Sequence, residues 1–249
     1  MPQTEMTCHS PATGQAPDDA SRIALIGSPN GGKTSIFNQL TGLHAKTGNY
    51  PGVTVSRSEG VARIHDHTFA IEDLPGTYSL SPISPDEQVV VDVLDGRMDQ
   101  VSAPDALVVV ADATALRRSL LLLAEVLPRH LPTAVVVTMT DELRRRQGSL
   151  DVTALSQALG VPVVAVVANR GIGIGELRNL LTTWHDWDRP PLDPPSRSSE
   201  LAGWVDSVLD TAGYEDPDPD SRTERIDKVL LHPVWGTIVS VSYTDLTQP

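Results

Sequence analysis

Gly27-Ser28-Pro29-Asn30-Gly31-Gly32-Lys33-Thr34 matches G-x-x-x-x-G-K-[ST] in full, the pattern of a loop that wraps phosphates in its own backbone amides. The run before it, Arg22-Ile23-Ala24-Leu25-Ile26, is short, apolar and partly β-branched, which predicts a buried strand. The run after it, Ser35-Ile36-Phe37-Asn38-Gln39-Leu40, opens a helix with apolar residues at helical spacing. Strand, glycine loop and helix together form the context in which the motif holds a di- or triphosphate. The loop N–H groups and the positive end of the helix dipole face the anion. Asn30, Gly31, Gly32 and Ser35 are candidate cradle residues. Lys33 is placed to reach the β- and γ-phosphates, and Thr34 to put its hydroxyl on Mg²⁺.

Outward from this loop, apolar runs alternate with helical patterns from 22 to about 187. The strand candidates are 22–26, 58–65, 67–73, 105–111, 132–138 and 161–167; the helix candidates are 33–41, 85–95, 114–129, 150–159 and 173–184. Such alternation predicts an α/β domain with a mainly parallel, six-stranded sheet. The runs 58–65 and 67–73, parted near Asp66, predict a hairpin and one antiparallel pair. In such sheets ligands sit at the carboxyl ends of the strands, and the motifs that follow fall there.

Asp73-Leu74-Pro75-Gly76 fits D-x-x-G at the end of a predicted strand. An aspartate there holds Mg²⁺ through water, and the glycine N–H meets a γ-phosphate. Between the two motifs runs Gly48-Asn49-Tyr50-Pro51-Gly52-Val53-Thr54-Val55, a turn-rich loop. Gly52, Val53 and Thr54 are its candidate nucleotide contacts, and Thr54 is placed to be a second hydroxyl ligand of Mg²⁺ once a γ-phosphate is present. Loops around 44–57 and 73–85 are thus expected to order with the triphosphate and relax after hydrolysis. Lys33, Thr54 and Gly76 are the candidate catalytic groups.

Val135-Val136-Val137 is followed by Thr138-Met139-Thr140-Asp141, where GTPases usually carry N-K-x-D. Asp141 is in register to accept from guanine N1–H and the exocyclic amine, charge-assisted bonds that adenine cannot return. Thr138 is shorter than asparagine and lacks its amide donor, so guanine preference with weakened binding is expected. Val167, Ala168 and Asn169 form the last candidate loop, with the Ala168 N–H toward guanine O6.

The 249 residues suit one domain with a small appendage. A net charge of −13 and the lack of a long basic run argue against a nucleic-acid partner. Arg144-Arg145-Arg146 reads as a solvated helix end. The single cysteine excludes an intramolecular disulfide. The first twenty residues are polar and proline-broken and are expected to be disordered, with no apolar core of a signal peptide. No apolar stretch approaches a membrane span. After Trp187, residues 188–198 read as a proline-rich linker. Helical stretches at about 199–212 and 221–231 form a short appendage (199–232), joined by an acidic, proline-broken connector.

Taken together, 22–187 resembles the N-terminal cytosolic G domain of the FeoB ferrous-iron transporter family. The most specific stretches are GSPNGGKTSIFNQLTG (27–42), TGNYPGVTVSRSEG (47–60) and DLPGTYSLSPISPDEQV (73–89). The resemblance implies a Ras-like P-loop GTPase domain (21–187) with a short helical C-terminal appendage. It implies GTP and GDP as ligands, Mg²⁺ as cofactor, and slow hydrolysis in which backbone groups orient the water, since Thr77-Tyr78-Ser79 follow D-x-x-G with no amide side chain. Asn30 matches the residue that helps hold an activating K⁺ beside the phosphates. Residues 224–236 look like the lead-in to a first transmembrane helix, and 233–249 would be a pre-membrane segment and polar tail. The implied partner is the membrane domain of the same transporter. The implied location is the cytoplasmic face of the bacterial cytoplasmic membrane, and the chain is expected to be a soluble fragment. Self-association is left open. Two other readings stand beside this one: a soluble Era-like GTPase of ribosome or RNA assembly, and a degenerate nucleotide-binding scaffold.

Overall fold

The computed structural model describes Pro17 and residues 20–43, 45–190 and 192–219. The stretches read as a disordered tail (up to about residue 20), a second helix (221–231) and a pre-membrane segment (233–249) lie outside the described residues, apart from Pro17 and Ala20.

β1 (Ser21–Gly27) and β5 (Ala106–Asp112) run side by side in the middle of a seven-stranded sheet of order β2-β3-β4-β1-β5-β6-β7. Their composition explains the position. Ala106 to Ala111 are all buried, as a parallel strand covered on both faces must be. β6 (Thr133–Thr138), β7 (Val163–Ala165) and β4 (His67–Asp73) complete the parallel part. β3 (Ser56–Ile64) folds back antiparallel onto β4, Ile64 facing His67 across the expected hairpin.

The sheet has seven strands rather than six. The additional one, β2 (Ala45–Asn49), pairs antiparallel with β3 at the outer edge, and all five of its residues are exposed. It lies within the stretch expected to be a mobile loop.

Helices cover both faces. α1 (Lys33–Thr41) and α6 (Ile174–Thr182) bury Ile36, Phe37, Leu40, Leu177 and Leu181 against one face. α2 (Pro85–Leu94), α3 (Leu116–Val126) and α5 (Val152–Leu159) build the other layer. The start of α2 follows from its sequence: Ser84 and Glu87 form a reciprocal capping box ahead of Pro85. Phe37 is 2% exposed, so Phe37→Ala would cost about 3–5 kcal/mol. A short helix not among the helix candidates, α4 (Thr140–Arg145), ends in Arg144 and Arg145, both exposed, the solvated helix end expected of the arginine run.

α7 (Ser198–Thr211) lies against α3 and α5, burying Val205, Val208 and Leu209. Beyond it Tyr214 donates its hydroxyl to the Ala113 carbonyl at 3.0 Å, and Ser149 bridges to Glu215. No helix of the described residues is long and apolar enough to cross a membrane.

Candidate nucleotide site

β1 delivers the chain to the phosphate loop and α1 takes it away. Gly27 is pressed against β5: a Cβ there would lie 2.4 Å from the Val110 carbonyl oxygen. Gly32 adopts φ 90° as it caps α1, and Asn30 takes φ 63°, a left-handed geometry that asparagine tolerates better than most residues. Lys33, the first residue of the helix, is 7% exposed.

Thr34 and Asp73 meet, as the motif spacing requires. The Thr34 hydroxyl donates to Asp73 Oδ2 at 2.8 Å, while Asp73 Oδ1 is buried without a hydrogen-bond partner. A hydroxyl and an orphaned carboxylate oxygen are the hard donors that Mg²⁺ prefers. Burial depresses the Lys33 pKa, with Asp73 opposing, and burial raises that of Asp73, with the Thr34 hydrogen bond and Lys33 opposing. Each group is therefore pushed toward its neutral form. A polyphosphate beside Lys33 and a divalent cation beside Asp73 would supply the opposite charges that reverse both shifts.

The start of the D-x-x-G loop lies directly on the phosphate loop. The Leu74 N–H donates to Leu25 O and the Thr77 N–H to Gly27 O, both at 3.1 Å. A Cβ on Gly76 would come within 2.9 Å of the Pro29 ring and backbone, so only glycine fits. The segment is then pinned to α3, where Glu125 accepts from the Leu80 N–H at 2.5 Å and from the Ser79 hydroxyl at 3.1 and 3.2 Å.

Thr54 stands apart from this pair. It is exposed and shares an open hollow with Asn49, Tyr50, Gly52, Val53 and Pro85 rather than with the phosphate loop.

At the base end, Asp141 lies half-buried in the first turn of α4. Val167 and Ala168 are buried and Asn169 is exposed. Val167 bridges Ile172, and the Ala168 carbonyl accepts from the Gln39 side chain at 3.0 Å, tying this loop to α1. Thr138 has a use that its sequence position hid. It is 2% exposed, and its hydroxyl donates to Gly31 O at 2.7 Å, with Ala111 O at 3.3 Å. It tethers the phosphate loop to the end of β6.

Sequence reasoning also passed over Tyr50, Glu125 and Gln39. Tyr50 alone carried a signal: one of only four tyrosines in the chain, it sits among Gly, Asn and Pro, where an exposed turn has no need of a large aromatic.

Fold and site together define a P-loop domain of the Ras-like arrangement. Residues 21–181 match the family described as "Ferrous iron transport protein B". The Fe(2+) transporter FeoB of Leptospira biflexa is 43% identical over 160 residues, 64% of this chain and 23% of that protein. The crystal structure of the G domain of the T. maritima FeoB iron transporter covers 67% of this chain and 99% of its own, at 37% identity and a TM-score of 0.60. The T. maritima cytosolic domain in its GMPPNP form covers 79% and 100%, at 27% identity and a TM-score of 0.67. The chain belongs to the ferrous iron transport protein B family, as its N-terminal G domain, and spans about a quarter of the length of the curated relatives it matches.

Proposed function

We propose that this chain is the GTP-binding, slowly hydrolysing regulatory domain of a ferrous-iron transporter, working at the cytoplasmic face of the membrane and passing its nucleotide state to the transporter's membrane domain. The observation that carries the reading is the joined pair Thr34–Asp73, with a free buried carboxylate oxygen beside the shielded Lys33. Solved relatives from T. maritima in GDP and GMPPNP forms support the choice of nucleotide.

Backbone amides of 30–35 would hold the phosphates, with Lys33 balancing their charge. Thr34 and Asp73 would hold Mg²⁺, whose charge would offset that of the phosphates. Thr54 would join them only in the triphosphate state, which requires the 51–54 turn to swing inward. Gly76 would offer its N–H to the γ-phosphate, and Asp141 would read guanine. Asn30, exposed within the phosphate loop, would help hold K⁺ with carbonyls of 48–53, in the place where other GTPases use an arginine.

A phosphate-release assay with Mg²⁺ tests this. GTP is hydrolysed slowly and ATP is not; K⁺ gives a faster rate than Na⁺, and Asn30→Ala removes that difference. Absence of guanine-nucleotide uptake at millimolar concentrations with Mg²⁺ would end the proposal.

A further inference from the structure

Tyr50 is the only part of the 50–54 turn whose side chain enters the core. It is 1% exposed and packs in the same cluster as Leu74 and Val89, whereas Thr54 beside it is open to solvent. Its hydroxyl donates to Glu72 Oε1 at 2.9 Å, and Arg57 Nε donates to the same oxygen at 2.8 Å. The Arg57 guanidinium lies 5.8 Å over the Tyr50 ring and also pairs with Glu59 at 3.0 Å. Burial first, then the Glu72 charge, raise the phenol pKa, so it remains a donor at any physiological pH.

The backbone closes around this anchor. Tyr50 N–H donates to Val55 O at 2.9 Å and Val53 N–H to Tyr50 O at 3.3 Å, while Val55 itself is 7% exposed. The turn 51–54 is thus a short loop on a fixed base. Thr54 neighbours Val55, so its Cα stays about 3.8 Å from the Val55 Cα whatever the turn does. Register decides where that base lies. Ser58 pairs with Asp73, and β3 begins at Ser56. Residues 54 and 55 therefore lie past the carboxyl end of β4, beyond the Asp73 that accepts from Thr34.

We infer that Tyr50 is a positioning residue for GTP hydrolysis: through its bond to Glu72 it fixes the base of the 51–54 turn past the carboxyl end of β4, so that an inward swing of the turn carries Thr54 toward the Thr34–Asp73 pair. The residue touches no nucleotide. Its contribution is felt only in the step that needs Thr54 in place, so it separates turnover from ground-state binding.

This inference rests on the GTPase reading above, and a comparison of Tyr50→Phe, Glu72→Gln and unaltered protein keeps the two apart. Tyr50→Phe keeps the ring in the core and removes only the hydroxyl. Its kcat for GTP falls about tenfold, with the GDP dissociation constant changed by less than about twofold. Glu72→Gln keeps an oxygen for the phenol and loses less than half as much of the rate on a logarithmic scale. A Tyr50→Phe kcat within about fivefold of unaltered protein overturns the inference, as does a parallel loss of GDP affinity, which marks general loosening. A Glu72→Gln loss equal to that of Tyr50→Phe also overturns it. If unaltered protein itself fails to hydrolyse GTP, the functional reading fails first.

Discussion

At the phosphate end, Thr34 already meets Asp73, Gly76 lies against Pro29, and Lys33 is buried. At the base end, Asp141 is only half-buried and Asn169 is open to solvent. Thr138, buried nearby, gives its hydroxyl to the Gly31 carbonyl of the phosphate loop. The contrast shows where this domain invests its rigidity. Phosphate recognition, as proposed, would draw on backbone and glycine geometry that the fold itself imposes. Under the proposed function base recognition would rest mainly on one carboxylate, Asp141, while Thr138, three residues earlier, is bonded to the phosphate loop.

Three substitutions probe that division. Lys33→Ala strips the phosphate end of its shielded cation and should lower GTP hydrolysis by about 100-fold or more, read by phosphate release. Asp141→Asn keeps the size of the side chain but offers a donor where guanine also donates. Charge-assisted bonds of this kind are worth about 1.5–3 kcal/mol, so GDP affinity by calorimetry should fall roughly 10- to 100-fold, with a xanthine nucleotide gaining relative to it. Thr138→Val keeps the shape and removes the tether, leaving Gly31 O and Ala111 O without that donor. It should lower the unfolding free energy by about 1–2 kcal/mol in denaturant and weaken guanine and adenine nucleotides alike. A loss confined to guanine would show that Thr138 serves the base after all.

The sequence exposed the phosphate end more fully than the base end for the same reason. Glycine spacing and the residues Lys33, Thr34 and Asp73 are local signals, and the strand before each motif is a largely apolar run. The alternation of elements likewise announced the parallel sheet. What stayed hidden depended on partners distant in sequence. Ala45–Asn49 has no apolar alternation and becomes a strand because β3 offers it a free edge. Thr138 looked like a lost amide donor, and only the fold brings Gly31 within reach, 107 residues away in sequence. Tyr50 sat in a stretch whose glycines and proline spoke for a solvated turn. Its ring packs with Leu74 and Val89 and its hydroxyl meets Glu72, partners more than twenty residues away in sequence. α4 is too short at six residues to carry a clear period.

The outermost strand has a consequence of its own. β2 hangs on β3 by one ladder, with no strand of the described residues on its other side and no residue in the core. Unzipping it would cost those few bonds and leave the remaining six strands intact. The domain therefore carries a reserve of slack just upstream of its anchored tyrosine, chain that can be paid out or reeled in while the framework around the phosphates stays still.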